Sequence, residues 1–215
     1  MAITLVGSEI AASDTLTLPA HQAGDLIVGF GIRYAVAFPT IPAGWSSLTR
    51  QDYAAAIGHG FAYKRATSSS ETFGTWTSAD LVGAFVVRAS AGVPCIGHAT
   101  SGASAAGGLD LRWDMQALFR EESMMLLWAT IGNLTTDIAT APSGFTNVQN
   151  GDDGTRELVM HFSDAAIGPG LPIASQVLTG STSNRRLALA EIIEIEIEVS
   201  GGGPRNLFGN SLFGG

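Results

Sequence analysis

Two short strings a hundred residues apart set the strongest constraint on the fold. Pro42-Ala43-Gly44-Trp45 and Pro142-Ser143-Gly144-Phe145 each follow an apolar run, "DLIVGF" in one case and "SMMLLWA" in the other. Each is followed by a segment with aromatics, Phe61-Ala62-Tyr63 and Met160-His161-Phe162. Each half then closes on a long apolar run, "LVGAFVVR" and "LALAEIIEI". Proline fixes the backbone, glycine supplies the turn, and the aromatic can fold back on a sheet. The order predicts an internal two-fold repeat, with halves at about 1–100 and 101–200.

The segments between these anchors have the period of strands. "AITLVGS", "DTLTLP", "GDLIVGFGIRYAVAF", "GHGFAYKRAT", "TFGTWT", "DLVGAFVVRAS" and "VPCIGHAT" make up the first half. "GGLDLRWDM", "SMMLLWATIG", "ELVMHFSDA", "ASQVLTG" and "RRLALAEIIEIEIEVS" make up the second. Only "WDMQALFREESMM" could begin a helix. Glycine occurs 27 times, and charged residues are 14% of the chain against a usual share of about 25%. This predicts an all-β fold, an antiparallel β-sandwich of jelly-roll-like type. The expected body covers 1–200. Residues 201–215, "GGGPRNLFGNSLFGG", form an expected extended tail carrying Leu-Phe-Gly twice.

Several kinds of chemistry find no support. The net charge of −8 leaves no basic stripe to neutralise phosphates, so no nucleic-acid partner is expected. One cysteine, Cys95, precludes an internal disulfide and a thiolate zinc cluster. The N-terminus shows no signal-peptide pattern, and no run approaches the roughly 20 apolar residues of a membrane helix. A soluble protein made in a cytoplasm, with no membrane partner, is the expectation. No G-x-S-x-G elbow, P-loop or dinucleotide fingerprint occurs. The histidines His21, His59, His98 and His161 show no ligand spacing. No catalytic residue, cofactor or metal is therefore assigned.

Three features are weighed against plainer readings. In "EIIEIEIEVS", Ile193, Ile195, Ile197 and Val199 alternate with Glu194, Glu196 and Glu198. This reads as a solvated strand face that blocks edge pairing rather than a calcium ladder. "NGDDGT" (150–155) reads as a hairpin turn rather than a calcium loop. Trp45, Tyr53, Tyr63, Trp76, Trp113 and Trp128 could fill a core or form a sugar platform, with Trp45 and Trp76 the candidates for glycan contact.

Five pieces of the first 90 residues stand out together: Thr17-Leu18-Pro19, Gly24-Asp25-Leu26-Ile27, Pro42-Ala43-Gly44-Trp45, the stretch Tyr63 to Thr67, and Ser70-Glu71-Thr72-Phe73-Gly74-Thr75-Trp76-Thr77. On these pieces the chain resembles a family of structural proteins encoded in virion gene clusters of tailed phages and prophages. The resemblance implies a particle context and brings no catalytic residue with it. The expected role is a non-enzymatic virion component on capsid or tail. Its partners would be copies of itself and other virion proteins, with docking through Leu207, Phe208, Leu212 and Phe213. The alternative is a carbohydrate-binding sandwich module that adsorbs to host glycans.

Overall fold

The computed structural model describes residues 3–35, 37–53, 57–104, 110–113, 125–132, 145–155, 157–163, 173–177 and 185–195. Every named element among them is a strand, and every strand pairing is antiparallel. The chain is all-β in these residues. The first sheet holds β1 (Ile3–Ala11), β2 (Leu26–Arg33), β3 (Ser46–Tyr53), β4 (Ile57–Arg65) and β5 (Leu81–Ala89) in the order β1-β5-β2-β4-β3. The second holds β6 (Val93–Ser104), β8 (Met125–Gly132), β9 (Thr146–Asp152), β10 (Glu157–Ser163) and β12 (Arg185–Ile195) in the order β6-β12-β8-β10-β9. A two-stranded sheet pairs β7 (Asp110–Trp113) with β11 (Ile173–Val177).

With β7 and β11 set aside, both large sheets run first-fifth-second-fourth-third in their own strands. The coincidence extends to register. In the β3–β4 hairpin, Ser47 faces Ala62 and Thr49 faces Phe61, so Leu48 is an extra residue. In the β9–β10 hairpin, Asn147 faces His161 and Gln149 faces Met160, so Val148 is extra. Leu48 and Val148 both pack on the same core. The first strands match as well. Val6 is extra between the pairs Leu5–Val87 and Gly7–Val86, and Gly97 is extra between Ile96–Ile192 and His98–Glu191. Trp45 and Phe145 stand immediately before β3 and β9.

One apolar core draws on both sheets. Val28, Phe30, Phe61, Phe85 and Val87 of the first meet Leu127, Leu158, Met160, Ala190 and Ile192 of the second. Phe30 stacks on Phe61 with centroids 4.7 Å apart. Approach is closest at Gly83, where a Cβ would stand 2.8 Å from Leu158 Cδ2 and 2.9 Å from the Met160 sulfur. Edge strand β1 lies against β9, and β3 lies against β6. Ser8 Oγ joins Gln149 Oε1 across the first of these edges at 3.1 Å. Thus the first strand of each sheet meets the third strand of the other.

The first sheet is buried on its second face too. Ile27, Ala62, Val82, Ala84 and Val86 lie under Leu16, Phe73 and Trp76, with Leu18, Ile41 and Trp45 packed alongside. This explains the unbroken apolar runs of β2 and β5: a strand covered on both sides has no polar face to alternate with. It also corrects two expected strands. "DTLTLP" and "TFGTWT" are extended coil apart from a single Thr40–Thr77 bridge. They cross the sheet face rather than join its edge. Their alternation records one side lying on an apolar surface and the other in water, a pattern that needs no ladder. "VPCIGHAT" also proves to open the second sheet, and β5 and β6 are separated by only Ser90, Ala91 and Gly92. The candidate helix 113–125 falls mainly outside the described residues.

Candidate functional site

The layer over the first sheet contains the residues that drew attention in sequence. Glycines let it sit low. A Cβ at Gly29 would stand 2.7 Å from the Trp45 ring, and one at Gly31 would overlap Trp76. Trp76 stacks on Phe73 (5.6 Å, 17°) and meets the edge of Trp45 (5.5 Å, 73°). The Trp45 indole N–H donates to Phe73 O at 3.1 Å. Lys64 Nζ lies 5.0 Å from the centre of the Trp45 ring, pairs with Glu71 at 2.9 Å and donates to Thr72 O. The Lys64 and Thr67 hydrogen bonds pull the Glu71 carboxyl down to about 2. An open groove beside this layer is lined by Thr15, Thr17, Glu71, Thr72 and Thr75.

This geometry removes Trp76 as a glycan contact. Its relative exposure is 0%, so neither ring face can receive a sugar. Trp45 is half-buried, with one edge on Trp76 and a cation over its ring. The sequence signal for burial was present in the "VGFGI" pattern of β2, where alternate glycines open room for large rings from outside the strand.

The carboxylate stripe is also corrected. Glu194 is 7% exposed, and its Oε1 accepts the N–H groups of Ala91 (2.8 Å) and Gly92 (2.5 Å). It holds the turn that joins the sheets. Glu191 is buried as well, whereas Ile195 is 51% exposed. Strand alternation persists, with Ala188, Ala190 and Ile192 on the shared core, but Glu191, Ile192, Ile193 and Glu194 are all buried, so this stretch presents no solvated face before Ile195. Glu196, Glu198, Ile197 and Val199 lie outside the described residues. In the 150–155 segment, Asp152 accepts from Gly154 N–H (2.8 Å) and Asp153 from Thr155 N–H (2.9 Å), with Gly154 at φ 83°. These aspartates build a turn. Among the described residues, no three His, Cys, Asp or Glu side chains converge as metal ligands.

His59 is buried within β4, and His161 is buried within β10. By register His161 stands where the first sheet has Ala62, and Glu191 where it has Val86. Desolvation lowers the His161 pKa from 6.5 to about 4. A base that folding keeps neutral stabilises the protein fully above its unfolded pKa, and that contribution is lost as pH falls from 6.5 towards 4. The expected loss is about 3 kcal/mol. Urea midpoints measured from pH 7 to 4 should therefore fall, and His161→Gln should flatten the profile above pH 5. An equal slope in the variant would show that His161 does not carry it.

Leu207, Phe208, Leu212 and Phe213 lie outside the described residues. Tyr63 packs on the shared core. Comparison with protein-family models, curated proteins and solved structures gives no match.

Proposed function

We propose that this chain is a non-enzymatic structural protein of a tailed-phage virion, a sandwich duplicated within one polypeptide. The observation that carries the reading is the coincidence of strand order and bulge position in two sheets that share a core. A stiff body of this kind suits a repeated particle component. Each sheet comes from a contiguous half of the chain, with the boundary at 90–92. Two stacked sheets therefore describe the proposal better than a jelly roll. Residues that sequence offered for ligands, Trp76 and Glu194 among them, serve packing and turn formation instead. Exposed apolar side chains at Tyr34, Phe38 and Ile195 supply contact surface on the body.

The tail would add reach. Burying one of Leu207, Phe208, Leu212 or Phe213 on a neighbour contributes roughly 1.5–3 kcal/mol before ordering costs. Many copies in an array raise this through avidity. Deleting Gly201 to Gly215 should remove the chain from purified particles, as read by quantitative mass spectrometry, while leaving the body's melting temperature unchanged. Normal incorporation of the truncated chain would overturn tail docking. Absence of the full-length chain from particles would overturn the virion reading itself.

A further inference from the structure

A cavity of about 250 Å³ lies at the junction of the sheets, lined by Gln22 to Asp25, Arg65, Arg88, Ala89 and Gly92 to Pro94. Its two guanidinium groups differ in state. Arg88 is neutralised: its Nε donates to Asp25 Oδ1 at 2.8 Å and its Nη2 to Oδ2 at 2.7 Å. Asp25 is 1% exposed. Burial alone would raise its carboxyl, but the Arg88 hydrogen bonds and charge, the Gln22 N–H and His21 together hold it below the ordinary carboxylate value.

Arg65 is fixed without being neutralised. Its Nη1 donates to Gly24 O at 2.9 Å, and its Nη2 to Pro94 O at 2.7 Å, with Cys95 Sγ 3.5 Å from Nη2. Those acceptors are two backbone carbonyls and a thiol, and Arg65 forms no ion pair with a described side chain. A guanidinium has five N–H groups; two of them have no acceptor among the described residues, and the side chain is open to solvent. Glu194 touches Gly92 but does not line the cavity, and its Oε1 is occupied by the turn. The lining thus carries two cations against one anion, in a chain whose net charge is −8.

We infer that this cavity is a binding site for a small oxyanion, a phosphate or a carboxylate, held by Arg65 with the Asp25–Arg88 pair as its fixed wall. The cation is already in place, so binding spends little on ordering the side chain. Charge-assisted hydrogen bonds favour planar or tetrahedral oxyanions. The volume is many times the roughly 10–15 Å³ that a single water requires by this measure.

The chain's single cysteine provides a local reporter. The full-length protein is titrated with inorganic phosphate and, separately, with acetate, at fixed ionic strength. Calorimetry follows binding, and the rate of Cys95 alkylation by iodoacetamide follows occupancy. An anion on Arg65 opposes thiolate formation nearby, so saturating ligand should slow alkylation several-fold. Arg65→Ala should weaken binding at least tenfold, and Arg33→Ala should leave it unchanged. Stronger binding of phosphate assigns the phosphate class, and equal or stronger binding of acetate assigns a carboxylate. No saturable effect of either anion on the wild-type protein would overturn the site, as would equal binding by a folded Arg65→Ala variant. The wild-type titration decides the matter even if that variant fails to fold. None of these outcomes depends on the virion reading.

Discussion

Trp76→Ala should cost about 3–5 kcal/mol and lower the melting temperature by about 8–15 °C. Trp76 is fully buried and is the largest side chain so placed among the described residues. It fills the space left by Gly31 and Gly60, stacks on Phe73 and abuts Trp45. Alanine would leave a cavity that neighbouring rings, held on extended backbone, cannot collapse to fill. Trp76→Phe should cost much less, because the indole nitrogen has no hydrogen-bond partner to lose. Chemical denaturation of both variants separates volume from hydrogen bonding. A change below 1 kcal/mol for Trp76→Ala would mean that this layer does not melt with the sheet beneath it.

The second large effect is expected at the sheet interface. Gly83→Val introduces a side chain where Leu158 and Met160 already reach. Overpacking of this kind typically costs 1–3 kcal/mol, and the upper part of that range is expected because a central strand cannot retreat. Leu158→Ala alone should cost about 2–5 kcal/mol through its cavity. Combined, the two should cost clearly less than their sum, since each relieves the strain or void of the other. Strict additivity in a double-mutant cycle would show that the sheets do not meet at this point.

The sequence was informative where a strand is covered on both faces or where a turn has its own chemistry. "DLIVGF", "LVGAFVVR" and "LALAEIIEI" became β2, β5 and β12, and the aromatics Trp45 and Phe145 stand immediately before β3 and β9. The signal failed where a side chain's fate depends on a distant neighbour. Glu194 looked solvated because its own strand alternates, but its partner is a turn a hundred residues away. Trp76 could be read either as core or as a sugar platform because threonines flank it. Those threonines do face water, yet alternation cannot say whether the opposite side faces a sheet. The Arg65 cavity left no local trace, since it needs the ends of β2, β4 and β5 brought to the start of β6.

The three-residue link at Ser90, Ala91 and Gly92 has a consequence for how these sheets stay together. Two separate chains of this plan would associate by mass action and come apart on dilution. Here the tether makes the encounter intramolecular, at an effective concentration in the millimolar range for a short connection. Its clamp, Glu194, comes from the last described strand, so the joint tightens only when the second sheet is complete. Self-complementarity also ceases to be required. In a symmetric pair every substitution appears twice, whereas in one chain each half can change alone. At positions with the same register in the two strand orders, the first sheet has Ala62 and Val86 and the second has His161 and Glu191.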